Sequence, residues 1–225
     1  MKYDWILFDA DETLFHFDAF KGMQLMFSRK GVEFTQDNYS QYQEINKPLW
    51  VEYQNGTIDA HELKHSRFSQ WAEKLGTTTI ELNNAFLTAM ADICTLLPGA
   101  KELASALVAD KTKLGIITNG FTELQSIRLE RTGMSEFFEQ VIISEQVGAA
   151  KPDKKIFNHA LKKMNYPSKN KILMVGDTLQ SDILGGINFG IETCWLNHHN
   201  AKEQQGIKPT YTVGSLSELK NILLV

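Results

Sequence analysis

The chain is poor in cysteine and proline, carries no excess of basic charge and contains no long apolar run. Its 225 residues include only 2 cysteines, Cys94 and Cys194, far apart and outside any metal-ligand spacing. This excludes the disulfide framework of a small secreted domain and predicts two reduced, mostly buried thiols. With 23 basic against 27 acidic side chains the formal net charge is -4. Such a balance offers no broad cationic surface to a nucleic-acid polymer or an anionic membrane, although a small phosphorylated ligand needs only local positive charge. The apolar start is interrupted by Asp4 and stops at Asp9, unlike a signal peptide. The run of about 18 apolar residues needed for a transmembrane helix is missing. A reducing cytoplasm fits these absences. The hydrophobic fraction of 43% and charged fraction of 22% allow a folded chain with a sizeable core. The length suits one large domain, or one domain carrying a smaller insert.

What is present is a pattern of strand ends. Trp5 to Phe8 is an apolar strand that runs into Asp9-Ala10-Asp11-Glu12-Thr13. Strands of an open parallel sheet end at the edge where ligands bind, and two aspartates there repel each other unless a cation lies between them. Further strands are expected over residues 113–118, 140–144, 171–176 and 192–196, alternating with helices. One helix spans 121–131 with Gly133 near its C-cap, one has Pro152 in its first turn and runs to about Met164, and one is closed by Gly190. Ser215 and Glu218 are spaced as a capping box that opens a last helix. The alternation predicts an α/β fold, a doubly wound, Rossmann-like parallel sheet with helices on both faces.

Residues 15–96 read differently, with helical periodicity over 19–29, 37–52, 60–75 and 79–95, punctuated by Gly31, Asn55-Gly56 and Gly76. The expectation is an all-helical cap domain, 15–96, inserted after the first strand of a core made of 1–14 and 97–225. Because it begins right after the paired aspartates, it is placed to cover them.

Four strand ends carry polar groups that such a sheet would bring to one edge: Asp9 and Asp11; Thr118 and Asn119; Lys151; and Asp177, followed by Asp182. An ionised Asp9 can attack phosphorus and form an acyl phosphate. Asp11 can protonate the leaving oxygen and then deprotonate water. Thr118, with backbone N–H groups at Asn119 and Gly120, can bind phosphoryl oxygens. Lys151 supplies fixed positive charge, and Pro152 keeps it out of helical geometry. Asp177 is an oxygen ligand suited to Mg2+, and Asp182 binds the metal through water or orients its ligands. Ligand type alone does not separate Mg2+ from Mn2+ or Co2+. Four aspartates against one divalent cation and Lys151 leave the site negative, so a phosphate dianion is accommodated if Asp11 is protonated.

The four motifs, Asp9-Ala10-Asp11-Glu12-Thr13, Thr118-Asn119, Lys151-Pro152 and Gly176-Asp177-Thr178 with Asp182, resemble those of the haloacid dehalogenase (HAD) superfamily of phosphatases, in the family's order. The resemblance implies that Asp9 is the nucleophile, that Mg2+ is held by Asp9, the backbone carbonyl of Asp11 and Asp177, and that the insert is a helical-bundle cap. Phe8 to Phe15, Asn46 to Trp50, Thr118 to Thr122 and Asp182 to Asn188 resemble the pyrimidine 5′-nucleotidase branch of that superfamily. This implies a small nucleoside monophosphate as substrate: UMP, dUMP, dTMP or an aberrant pyrimidine nucleotide. No residue pattern independently specifies a pyrimidine or an oligomeric state.

Competing readings are a HAD phosphatase or phosphohexomutase acting on sugar phosphates, and a phospho-aspartate signalling domain. The long insert and the acid at position 11 argue against the last. A dehalogenase has no use for Asp11 or Asp177. His61-Glu62-Leu63-Lys64-His65 matches the zinc-peptidase signature but has no third ligand nearby in sequence, and reads as a polar helix face. His198-His199 is expected to be exposed. Phe15, Phe17 and Phe121 flank the motifs and are candidate substrate contacts; Trp50 and Tyr53 read as packing residues by default.

Overall fold

The computed structural model describes residues 2–224. Six strands, β1 (Trp5–Phe8), β2 (Lys113–Thr118), β3 (Gln140–Ile143), β4 (Ile172–Gly176), β5 (Glu192–Leu196) and β6 (Tyr211–Val213), form one sheet. They pair in parallel throughout, in the spatial order β3-β2-β1-β4-β5-β6. Five helices lie between β1 and the next core element: α1 (Ala19–Ser28), α2 (Gln36–Gln54), α3 (Ala60–Ser66), α4 (Ser69–Leu75) and α5 (Thr79–Asp92). The others connect or follow strands: α6 (Ala100–Ala109), α7 (Thr122–Thr132), α8 (Ser144–Val147), α9 (Lys154–Lys163), α10 (Leu184–Phe189) and α11 (Leu216–Leu223). Among the described residues no helix is long and apolar enough to cross a membrane.

A strand's side chains alternate between the two faces of its sheet. Ile6 and Phe8 therefore join Leu114, Ile116, Leu103, Leu107 and Leu219 in one apolar cluster, under α6 and α11. Trp5 and Leu7 join Ile117, Met174, Ile156, Phe157 and Phe189 in another, under α9 and α10. Burial on both faces is why these strands are continuous apolar runs rather than alternating ones. The helices α1–α5 share a separate cluster rich in aromatics, in which Phe27 stacks on Phe34 with ring centroids 4.6 Å apart. Two chain segments run side by side between this bundle and the sheet: His16 N–H donates to Thr95 O at 3.0 Å, and Leu97 N–H donates to Leu14 O at 2.9 Å.

Several boundaries differ from the sequence reading. The single helix expected over 60–75 is two, because Arg67 and Phe68 interrupt it. Arg67 still has helical backbone geometry as the C-cap of α3, but Phe68, at φ -111° and ψ 3°, departs from it before Ser69 starts α4. Pro152 lies before α9 rather than in its first turn; Asp153 is the N-cap and accepts from Lys155 N–H at 2.9 Å. The third strand stops at Ile143, and Ser144 starts α8. Ser215 caps α11 through Glu218 N–H, but the Glu218 carboxylate takes the Gly214 N–H at 2.8 Å, one residue before the N-cap. The reading also lacked α6 and the short edge strand β6.

Candidate active site

In the strand order the chain leaves β1 toward β2 on one side and later returns to β4 on the other. This reversal opens a crevice at the carboxyl ends of β1 and β4. Phe8 is in register with Ile116 and with Val175, and Asp9 N–H donates to Val175 O at 2.8 Å. Asp9 thus leaves the sheet level with Gly176, and Asp177 follows on the neighbouring strand. Glycine is required at 176 because a Cβ there would fall inside the Asp182 carboxyl group. Asp182 lies in a π-helical turn, Leu179–Ile183, and its Oδ2 accepts from Thr178 N–H at 3.0 Å.

Lys151, wholly buried, reaches both carboxylates: Nζ lies 2.5 Å from Asp9 Oδ1 and 2.8 Å from Asp182 Oδ1. Burial alone would lower its pKa, but the charges of Asp182 and Asp9 outweigh that and hold it above the ordinary lysine value. Burial, reinforced by Asp182 and Asp11, pushes the Asp9 carboxyl up to about 7 against the pull of Lys151. Burial together with Asp182 and Asp9 pushes Asp177 up to about 8. Carboxyl oxygens of Asp9, Asp177 and Asp182 all lie within 4.8 Å of one another. Three crowded carboxyl groups, two buried and that of Asp177 half-buried, with oxygen donors only fit a hard divalent cation. Trp195 Nε1 fixes the adjoining loop by donating to Asp177 O at 2.8 Å.

Thr118 and Asn119 close the other side. The Asn119 side chain clamps the Lys151 backbone: Nδ2 donates to Lys151 O at 2.9 Å, and Oδ1 accepts from Lys151 N–H at 2.7 Å. Its amide positions Lys151 and is engaged there rather than facing an incoming phosphate. The Gly120 N–H, expected as a phosphate donor, instead donates to Thr118 Oγ1 at 3.1 Å. A hydroxyl that accepts this bond still has its own O–H to donate.

The sequence reading missed Arg128. This residue of α7 is almost fully buried, and its Nη1 lies 2.5 Å from Asp11 Oδ1. Gln125 Oε1 accepts from Arg128 Nε at 3.0 Å and from Nη2 at 2.7 Å, and the guanidinium sits 4.4 Å from the centroid of the Phe15 ring. Arg128 changes the charge tally: with one divalent cation bound, Lys151 and Arg128 would bring the four aspartates to balance, without the expected negative excess. A usable signal lay in α7, where Leu124, Gln125, Arg128 and Leu129 share the buried face.

A cleft of about 360 Å³ contains Asp9, Asp11, Thr118, Lys151 and Asp177 at one end and is walled by α1, α2 and α5 residues elsewhere. Phe17 and Trp50 line it. Phe15 does not: it is fully buried beneath Arg128. Phe121 is buried too, packed against Trp50 with centroids 5.5 Å apart, so both phenylalanines are packing residues rather than substrate contacts. Tyr53 bonds Ser144 Oγ at 2.7 Å. His198 is half-buried rather than exposed, its Nε2 donating to Glu12 O at 2.9 Å; His199 is exposed, 3.0 Å from Glu12 Oε2. His65 Nδ1 lies 2.6 Å from Thr79 Oγ1, and no third metal-binding side chain joins His61 and His65 among the described residues.

The sequence profile of haloacid dehalogenase-like hydrolases matches residues 3–190. The chain is 56% identical to the pyrimidine 5′-nucleotidase YjjG of Escherichia coli over 223 residues, 99% of each chain. It is 36% identical to the pyrimidine 5′-nucleotidase PynA of Streptococcus pneumoniae over 235 aligned positions, covering 99% of this chain and 98% of the relative. The crystal structure of the HAD-hydrolase YfnB of Bacillus subtilis, solved with magnesium bound, superposes with a TM-score of 0.85 at 31% identity over 100% of both chains. A sheet edge that gathers acids and a threonine from three strand ends and a lysine from the loop after α8, and this likeness along nearly the whole length, lead to one assignment: the chain belongs to the haloacid dehalogenase-like hydrolase family.

Proposed function

We propose that this protein is a divalent-metal-dependent pyrimidine 5′-nucleotidase that hydrolyses UMP, dUMP, dTMP and aberrant pyrimidine nucleoside monophosphates through an aspartyl-phosphate. The observation that carries the phosphatase reading is Asp9, fixed at the exit of β1 by Lys151 at 2.5 Å and facing the cleft. The substrate class rests on the 56% identity to an enzyme of that name.

Asp9 attacks phosphorus, and the bond from phosphorus to the nucleoside 5′ oxygen breaks. Asp11 gives that oxygen a proton, then removes one from the water that cleaves the acyl phosphate. Thr118 donates its hydroxyl proton to a phosphoryl oxygen, and Lys151 stabilises the charge developing there. Arg128 holds Asp11 until the substrate draws it inward, and Asn119 holds Lys151. Asp9, the Asp11 carbonyl and Asp177 would hold Mg2+, or Mn2+ or Co2+ in its place; Asp182 orients Lys151 and the metal ligands. The cation supplies positive charge at the reacting oxygens. Residues 15–96 act as a cap over the core formed by 1–14 and 97–225. The free thiols Cys94 and Cys194 suit a reducing cytoplasm.

A phosphate-release screen over nucleoside monophosphates and sugar phosphates, with Asp9→Asn as control, tests this. Release is expected from pyrimidine nucleotides and is lost in the variant. An equal response to every base removes the nucleotidase assignment. Undiminished hydrolysis by Asp9→Asn removes the phosphatase one.

A further inference from the structure

Among the described residues Arg67 is a buried cation with no anionic partner. It closes α3 and is 4% exposed, yet burial and the Tyr42 hydroxyl are what act on its charge, with no carboxylate among them. One guanidinium nitrogen donates to Asn83 Oδ1 and the guanidinium also hydrogen-bonds the Tyr42 hydroxyl, while Nε, itself fully buried, has no hydrogen-bond partner among the described residues. The guanidinium carbon lies 5.0–5.3 Å from the ring centroids of Phe68, Phe86 and Phe121, which fix its plane. Arg67 and Phe86 line the same cleft as Asp9 and Lys151. Leaving a buried charge unpaired is costly, and the cost is recovered when a ligand supplies the missing acceptor.

We propose that Arg67 reads the base of the substrate by donating to the 4-carbonyl oxygen of uracil or thymine. The inference rests on the nucleotidase reading. The phosphoryl group belongs at Asp9 and Lys151, so a side chain on the cap side of the cleft meets the nucleoside portion. Guanidinium has five donors and no acceptor. It therefore pairs with a carbonyl and opposes the 4-amino group of cytosine, which is itself a donor. All pyrimidines carry the 2-carbonyl, so the 4-position is where a donor-only group discriminates. Asn83, which is buried, is the positioning residue that leaves part of the guanidinium for the ligand.

The test measures kcat/KM for UMP, CMP and ribose 5-phosphate in the wild type, Arg67→Met and Arg67→Lys, each with Mg2+. Ratios within one preparation cancel any difference in active fraction. The wild type is expected to favour UMP over CMP by roughly 10-fold to 100-fold, the range of one hydrogen bond to a buried charged donor. Arg67→Met is expected to bring that ratio to about 1. A wild type that hydrolyses ribose 5-phosphate as well as UMP overturns the nucleotidase reading and this inference with it. A wild type that prefers UMP, with the ratio kept in Arg67→Met, overturns the role of Arg67 alone. Should the variants fail to fold, the wild type is assayed with the 5′-monophosphate of pyrimidin-2-one riboside, which lacks the 4-oxygen. A loss of about 10-fold or more against UMP supports the inference, and equal turnover overturns it.

Discussion

At the scale of single residues the site depends on groups whose work is to hold other groups. Among the described residues Arg128 has one carboxylate partner, Asp11, and its guanidinium is fixed from behind by Gln125 and from below by Phe15. Replacing Arg128 by Met frees Asp11 from its resting orientation while leaving Asp9, Lys151 and the metal ligands in place. We expect kcat to fall by roughly 10-fold to 100-fold, less than the full contribution of an acid–base group, with KM for UMP nearly unchanged. Arg128→Lys should rescue poorly, because the paired contacts to Gln125 need a planar fork. A raised KM with unaltered kcat would show that Arg128 binds substrate instead. The four motifs stood out as candidates because each is a short stretch whose chemistry follows from residue type. Arg128 did not, because its partner is 117 positions away and only packing of α7 on the sheet edge brings them together. Phe15 failed for a related reason: proximity in sequence to Asp11 says nothing about which side of the turn a ring occupies.

At the scale of elements, helix ends show how core and insert are tied. The N-terminus of α7 has no cap of its own; Glu145 from α8 provides one, its Oε2 accepting from Thr122 N–H at 2.9 Å and from Thr122 Oγ1 at 2.8 Å. The other oxygen of Glu145 pairs with Lys64 of α3, across from the insert. Burial raises the Glu145 pKa, but the Lys64 and Thr122 contacts outweigh it and leave the carboxyl below its ordinary value of 4.5. A depressed acid gives stability that is fully present above the unfolded pKa and is lost as pH falls through the folded one. Glu145→Gln should thus lower stability at pH 7 by about 1 kcal/mol, the usual worth of a helix cap. The gap to wild type should close below pH 4.5. Urea unfolding at a series of pH values measures it, and a gap that widens in acid would refute the assignment. Most helices were readable from periodicity, though α6 was not, and Gly133 was readable as the end of α7, where its φ is 66°. The break at Arg67 and Phe68 was not, since no glycine or proline marks it between 60 and 75.

At the scale of the whole molecule, the cleft lies between a sheet edge and a helical bundle joined to it by two adjacent segments. Trp50, on α2, is part of the cleft wall and touches Phe121 beside α7. Nucleotide binding should alter its surroundings. Mixing Asp9→Asn with UMP and Mg2+ is expected to change tryptophan fluorescence, and Trp50→Phe in that background should abolish the change. A signal that persists would place the response at Trp5, Trp71 or Trp195 and deny α2 a part in binding. The layered sheet was legible from alternation. The cleft was not, because its walls come from residues 9 to 181 and no local pattern specifies which of them face one another.

The charged groups around Asp9 all issue from the ends of β1, β2, β4 and nearby loops, whereas the opposite wall is made by the insert. Inheritance can therefore act on the two halves separately. A lineage that exchanged its helical roof would acquire new substrates while its chemistry stayed the same, and damage to the sheet edge would silence every such descendant alike.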